Sequence, residues 1–253
     1  MSFRVVIPAR YASSRLPGKP LLDIAGKPMV QHVYERASVC GAHSVVVATD
    51  DERIAEAVTD FGGEVCLTSD DHPSGTDRLA EVVRMMEYPD EDIIVNMQGD
   101  EPLIPPKLIQ QVALDLRGFP DASISTICTP IDSGEELFNP NVVKVIMDKL
   151  HYAIYFSRAT IPWHRDAFMH NKESMPEDVQ YQRHLGIYAY RSSFLKHYSN
   201  LQISPLEQIE SLEQLRAIWH GFRIHVSVAS EPPGMGVDTE EDLILVRNIL
   251  SNG

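Results

Sequence analysis

The first 120 residues alternate short apolar runs with amphipathic stretches, and this alternation limits the fold more than any other feature. "FRVVIPA" reads as a buried strand. "PMVQHVYERASVCG" reads as a helix, with Pro28 in its first turn and Gly41 at its end. "SVVVATD", "EVCLT" and "DIIVNMQGDEP" are further strands. Between and after them come the helices "DERIAEAVTDFG", "TDRLAEVVRMME", with Thr76 as its expected N-cap, and "PPKLIQQVALDLRG". Strands that are apolar throughout must be covered on both faces. A parallel sheet under right-handed crossover helices provides that cover. The expected core is a mostly parallel, Rossmann-like α/β sheet.

The rhythm changes near residue 120. "ASISTICTP", "NVVKVIMD", "HYAIYFSR" and "RHLGIYAYR" are strand-like and follow one another without helices, which predicts a mixed or antiparallel extension. Residues 164–182 are polar and read as an irregular, mobile excursion. "SPLEQIESLEQLRAIWHG" reads as one helix, opened by a Ser204–Glu207 capping box with Pro205 at its first position. "RIHVSVA" is a strand. "DTEEDLILVRNIL" is a closing helix capped by Asp238 or Thr239. No repeat or long linker divides residues 1–253, so a single domain is expected.

Charge sharpens the question of function. The chain carries a formal charge of −14, which disfavours a broad surface for nucleic acid or anionic lipid. Against this background "PARYASSRLPGKPL" places Arg10, Arg15 and Lys19 in one loop with no acid before Asp23. The loop leaves the first strand at the edge where parallel sheets bind ligands. Gly18 permits close backbone approach, and Pro17 and Pro20 restrict the loop. Three cations on such a loop suit a polyphosphate. GxxxxGK[ST] and GxGxxG are both absent, so this is neither a Walker A loop nor the usual dinucleotide fingerprint. Lys19 reads as an exposed point charge whose loss would hardly affect stability. Cys40, Cys66 and Cys128 form no CxxC pair and are expected as reduced thiols in a cytoplasmic protein. "MSFRVVIPAR" does not read as a secretory signal, and no apolar run reaches the ~18 residues of a membrane helix.

The whole string of the first loop resembles the signature of the nucleotidyltransferases with a nucleotide-diphospho-sugar transferase (glycosyltransferase-A-like) fold. "HPSGTDRLAEV", "VNMQGDEPLI", "FNPNVVKV", "YFSRATIPW", "RHLGIYAYR", "LEQIESLEQLR" and "GVDTEEDL" follow in order. Together they resemble the 3-deoxy-manno-octulosonate (KDO) cytidylyltransferase family over nearly the whole chain. The resemblance implies transfer of CMP from CTP to the anomeric 2-hydroxyl of KDO, with release of pyrophosphate. It also implies Mg2+, a homodimer, and a sugar-binding and dimerisation lobe over residues 130–220. No nucleic-acid partner and no membrane insertion are implied.

By the same resemblance Asp100 and Asp238 are the magnesium carboxylates, and Lys19 acts with them in catalysis. Each acid also has an ordinary reading, a turn aspartate for Asp100 and a helix cap for Asp238. Arg10 and Lys19 carry over as triphosphate ligands, with Arg15 on phosphate or sugar acid. Ser74, Gly75 and Arg78 resemble the cytosine and ribose region. Gln98, Arg158, His184, Tyr188 and Glu213 match the sugar pocket. Glu210 stands three residues before Glu213 on the expected helix and shares its face, so either acid could serve. The resemblance leaves open KDO or its 8-amino analogue as acceptor, and the number of metal ions. Competing readings are another sugar nucleotidyltransferase, a non-catalytic nucleotide-binding regulator, and a phosphate-binding structural protein.

Overall fold

The N-terminal apolar run becomes β1 (Phe3–Pro8), a strand in the middle of the main sheet. The structure is a computed structural model that describes residues 3–12, 16–72, 74–170, 175, 176 and 178–251. After β1 come a 3₁₀ turn at Lys19–Leu21 and a small hairpin of β2 (Asp23–Ile24) and β3 (Lys27–Pro28). The alternating part then runs α1 (Met29–Ser38), β4 (Val45–Thr49), α2 (Glu52–Asp60), β5 (Glu64–Leu67), α3 (Gly75–Met85), β6 (Ile93–Asn96) and α4 (Pro106–Gly118). The second half runs β7 (Ile124–Pro130), α5 (Gly134–Phe138), β8 (Lys144–Met147), β9 (Ala153–Ser157), α6 (Arg165–His170), β10 (Gln182–Arg191) and α7 (Ser192–Tyr198). It closes with α8 (Pro205–Glu210), α9 (Gln214–Trp219), β11 (Ile224–Val228) and α10 (Glu240–Ser251).

The main sheet has the order β11-β7-β10-β6-β1-β4-β5. β1 pairs in parallel with β4 and β6, β4 with β5, and β7 with β11. β10 enters antiparallel between β6 and β7, and β8 and β9 continue antiparallel from it. This is the mixed extension expected from the change of rhythm. All of β4 is buried, as a parallel strand covered on both faces must be. α1 and α4 pack over Val5, Ile7 and Val95 on one face; α3 and α7 pack over Val6, Ile94 and Tyr190 on the other. The chain leaves β1 for β4 on one side and returns to β6 on the other. The ligand edge therefore lies outside Pro8 and Asn96, at a topological switch.

Several local readings change in three dimensions. Ser74, not Thr76, caps α3, and its Oγ accepts from the Asp77 amide at 3.1 Å. The expected helix over 204–221 is two helices. The capping box is present, but Ser211 adopts a left-handed conformation at φ 52° and separates α8 from α9. Local propensity favours continuation. The break is held by tertiary bonds, since the Glu210 carboxylate accepts from Ser157 Oγ at 2.6 Å and from the Arg158 amide at 2.9 Å. Glu210 and Glu213 consequently do not share a helical face. The polar stretch after residue 163 contains α6, whose Phe168 is buried with Ile131, Leu137 and Tyr181. At α10, Thr239 supplies the cap, its Oγ1 accepting from the Asp242 amide at 3.2 Å.

Candidate active site

The first loop brings its lysine inward. Gly18 sits at φ 69°, and its amide donates to the Tyr11 carbonyl at 2.9 Å. A Cβ there would lie 3.0 Å from the Tyr11 ring. Arg53, from the first turn of α2, stacks on that ring with its guanidinium carbon 3.4 Å from the centroid. Lys19 follows at 8% exposure, so the expectation of an exposed loop lysine is wrong. Its Nζ donates to Asp100 Oδ2 at 2.8 Å and to Asp238 Oδ1 at 3.2 Å. The lysine is buried because acids more than 80 residues distant converge on it, which no local pattern shows.

Those acids sit on two loops that are bonded to each other. The Val237 amide donates to the Asp100 carbonyl at 2.9 Å. Gly99 lets its loop approach β1, since a Cβ there would stand 2.9 Å from the Pro8 carbonyl oxygen. The amides of Asp238 and Thr239 donate to the Asp242 carboxylate at 3.0 and 2.8 Å. Glu101 lies behind Asp100 and close against Gly236. Burial, then the charges of Asp100 and Asp238, push its pKa up to about 7.

A cleft of about 390 Å³ opens over this centre, lined by Arg10, Lys19, Gly75, Gln98, Asp100 and Asp238. Gln98 also borders a cavity of about 270 Å³ with Thr76, Tyr188 and Glu213. It borders a third space of about 140 Å³ with Glu101, Arg183 and His184. The side chain thus stands where the phosphate-sized cleft meets spaces walled by β10 and α9. His184 and Tyr188 face the same side of the sheet, with ring centroids 5.2 Å apart. Between them the β10–β7 register shifts, so that Leu185 faces Ile127 and Tyr188 faces Thr126. Thr126 Oγ1 donates into this irregularity, 2.7 Å from the Ile187 carbonyl, and lies 3.0 Å from His184 Nε2. Desolvation lowers the His184 pKa to about 3, so the ring is neutral at ordinary pH.

Comparison with known proteins extends over the same residues. The sequence model of the cytidylyltransferase family matches residues 4–224. The 3-deoxy-manno-octulosonate cytidylyltransferase 2 of Actinobacillus pleuropneumoniae serotype 5b (strain L20) is 59% identical over 252 residues, covering 100% of both chains. The 3-deoxy-manno-octulosonate cytidylyltransferase of Vibrio vulnificus (strain YJ016) is 59% identical over 251 residues, covering 99% of each. The chain belongs to the 3-deoxy-manno-octulosonate cytidylyltransferase family. A solved CMP:2-keto-3-deoxy-manno-octonic acid synthetase complexed with CTP matches with TM-score 0.88 at 47% identity, over 99% of each chain. A nucleotidyl transferase from Methanothermobacter thermautotroptrophicus shares the fold alone, with TM-score 0.62 at 16% identity, over 100% of this chain and 99% of that one.

For a cytidylyltransferase of this family, the structure brings Arg10, Lys19, Gly75, Gln98, Asp100 and Asp238 into one cleft. Arg10 Nη2 donates to the His72 carbonyl at 3.0 Å. Ser74 is buried, and its Oγ donates to Asp77 Oδ2 at 2.7 Å. Arg78 is wholly buried, with Nη2 2.9 Å from Asp50 Oδ1, and ties α3 to the segment after β4. Neither residue lines the cleft. Arg15 lies outside the described residues. Of the residues expected to meet a sugar, Tyr188 and Glu213 share one cavity, and Glu213 accepts from Thr76 Oγ1 at 2.9 Å. Arg158 does not line it: Nε donates to the Glu210 carbonyl at 2.7 Å and Nη1 to the Pro140 carbonyl at 3.2 Å. Of the two glutamates, Glu213 faces the cavity and Glu210 fastens β9.

Sequence reasoning did not single out Glu101 or Lys144, nor Asn96 and Gln214, which border the cavity of Tyr188 and Glu213. Glu101 had a visible signal, a second acid beside Asp100 in "GDEP", although alternation alone would point it away. Lys144 gave none. Its Nζ is buried and donates to the carbonyls of Asn139, Val142 and Arg158 at 3.0, 2.6 and 2.7 Å. Those acceptors meet only in the folded lobe.

Proposed function

We propose that this chain transfers CMP from CTP to the anomeric 2-hydroxyl of KDO and releases pyrophosphate, for lipopolysaccharide synthesis. One observation carries the reading: Lys19 Nζ bridges Asp100 and Asp238 on the floor of a cleft that opens, past Gln98, into a polar cavity. The curated relatives that share the chain's full length carry this acceptor in their names. The 2-hydroxyl oxygen bonds to the α-phosphorus, the bond from that phosphorus to the bridging oxygen breaks, and the hydroxyl proton leaves to solvent. Arg10 and Lys19 hold the triphosphate and stabilise its developing charge. Gly75 offers backbone at the base side. Gln98, His184, Tyr188 and Glu213 orient the sugar so that its hydroxyl is in line.

Two carboxylates already gathered round a lysine ammonium are a hard, anionic donor set that fits Mg2+. Among the described residues no group of three or more His, Cys, Asp or Glu side chains could hold an ion alone. Phosphate and water oxygens would complete the shell. When bound to Asp100 and Asp238, the ion would neutralise phosphate charge and acidify the attacking hydroxyl.

Residues 130–220 serve as the sugar-binding and dimerisation lobe. Ile154, Ile209 and Trp219 are exposed there, an apolar surface that supports pairing with a second copy of the chain. No described helix is long and apolar enough to cross a membrane, and a nucleotide-consuming enzyme of this kind fits the cytoplasm. Pyrophosphate release should be measured with CTP, UTP, ATP and GTP, against KDO and its 8-amino analogue. Turnover with CTP and one of these sugars is expected. Equal use of all nucleotides, or no turnover with either sugar, would overturn the proposal. Arg158→Ala should lower the melting temperature, because its guanidinium fastens the Glu210 and Pro140 carbonyls; a rise in acceptor KM at unchanged stability would instead place Arg158 on the sugar.

A further inference from the structure

Residues 68–72, which join β5 to α3, form no strand or helix, and α3 dictates their course. Arg78 and Glu81 stand three residues apart on that helix and share a face. Arg78 Nη1 donates to Thr68 Oγ1. One turn later, Glu81 Oε2 accepts from the Ser69 amide at 2.9 Å and lies 2.5 Å from His72 Nε2. The His72 and Glu81 side chains are 14% and 23% exposed, so water screens this contact poorly. Burial works to raise the Glu81 pKa, but the bonds from His72 and Ser69 outweigh it and hold the carboxyl below its ordinary range. An ionised carboxylate only accepts, so His72 Nε2 carries the proton of the bond. Glu81 thus grips the segment at two points.

The segment passes this constraint to the cleft. The His72 carbonyl accepts from Arg10 Nη2 at 3.0 Å, and Arg10 lines the cleft beside Lys19 and Asp100. A long side chain loses rotamer freedom when it binds a ligand. Fixing one guanidinium nitrogen in advance reduces that loss and leaves the planar fork set for phosphate oxygens. Charge gives a second reason for an acid at this place. Burial lowers the Arg78 pKa and Asp50 opposes it; the charge of Arg10 adds to the lowering, and Glu81 opposes it. Glu81 therefore offsets the repulsion between two guanidinium groups. It does not line the cleft itself.

We propose that Glu81, acting through His72, is a positioning residue for the nucleotide, because it fixes the carbonyl that orients Arg10 toward the triphosphate. The proposal rests on the reading above that Arg10 holds that group. A scaffold residue would act on both substrates and without regard to Arg10. A positioning residue acts on CTP, and only while the guanidinium is present.

Calorimetric titration of CTP on the free protein, in a double-mutant cycle with Arg10→Ala, separates the two roles. Glu81→Ala should weaken CTP binding roughly fivefold, and Arg10→Ala roughly tenfold or more, as expected for a lost hydrogen bond and a lost charged contact. In the Arg10→Ala background, Glu81→Ala should shift the CTP dissociation constant by no more than about twofold. Glu81→Gln keeps an oxygen for Ser69 and His72 and should bind CTP within about twofold of wild type. The KDO KM at saturating CTP should stay unchanged in both Glu81 variants. His72→Ala cuts the same contact without altering α3 and should show the same dependence on Arg10; it decides the matter if Glu81→Ala does not fold. A loss that persists undiminished without Arg10, or a KDO KM that rises with the CTP constant, would overturn the proposal. A wild-type chain that does not bind CTP would overturn the functional reading as well. Wild-type binding with unaltered Glu81→Ala and His72→Ala variants would overturn only the positioning role.

Discussion

Lys19 shows how a single side chain acquires its role from distant partners. On the sequence it is one cation in a loop; in the fold it is buried between Asp100 and Asp238. Lys19→Ala should therefore weaken CTP use and also lower stability. Both acids are at least a third exposed, so the stability loss should be about 1 kcal/mol, well below that of a fully buried pair. Melting temperature and kcat/KM for CTP, measured together, check this; an unchanged nucleotide dependence would remove the lysine from the phosphate site. Asp100→Asn and Asp238→Asn should fold normally and lose ~10²-fold or more in turnover, as comparable electrostatic deletions do. Near-normal rates at limiting magnesium would mean that the altered acid is no ligand. His184 gives a pH prediction. Its ring stays neutral in the folded chain down to about pH 3, whereas the unfolded chain protonates it below about pH 6.5. The unfolded state binds the extra proton across that window, so this residue lowers stability as pH falls through it. His184→Gln should thus gain on wild type in urea midpoint at about pH 4 relative to about pH 8. A constant difference would place the ring in a wetter setting.

At the scale of elements, the first loop is held from outside by α2. Arg53 covers Tyr11, Tyr11 closes over Gly18, and Gly18 delivers Lys19. Gly18→Ala adds a Cβ to a left-handed residue and presses it on the Tyr11 ring. It should cost about 1–2 kcal/mol and, by moving Lys19, reduce kcat/KM for CTP about tenfold. Circular dichroism melting and CTP titration read the two effects separately; a CTP constant unmoved despite lower stability would detach the stack from nucleotide binding. The same scale explains the split between α8 and α9. Helix propensity runs straight through Ser211, but Glu210 is held by Ser157 and Arg158 of the β9 segment. Buried Arg216 reaches back to Glu207 at 2.6 and 2.8 Å across the break. Tertiary bonds outweigh one residue's preference for helix.

At the scale of the molecule, the lobe leaves Ile209 80% and Trp219 55% exposed while its own core is closed. A second copy laid over these side chains would explain their exposure. Ile209→Glu with Trp219→Glu should convert a dimer into monomers in sedimentation velocity, with the fold retained by circular dichroism. A wild-type chain that sediments as a monomer at micromolar concentration would refute the dimer. The acidic balance of the whole chain is compatible with an anionic substrate because the cations are local. Arg10 and Lys19 line one cleft within an overall charge of −14.

The alternation of apolar runs and helices was enough to specify a parallel sheet with an antiparallel extension, since burial on both faces follows from composition along the strand. The order of motifs was enough to reveal the family, and it pointed to Asp100, Asp238, Lys19 and Gln98, which the fold gathers in one cleft. These residues lie at strand ends and in glycine-bearing loops, where local sequence controls position. Tertiary structure alone fixed the rest. It buried Lys19, turned Ser74 and Arg78 into α3 and its neighbours, chose Glu213 over Glu210, and opened one cavity to Asn96 and Gln214. Each of these outcomes joins segments far apart in the chain, through cross-strand register or a break in a helix. Local propensity carries no information about which distant groups will meet.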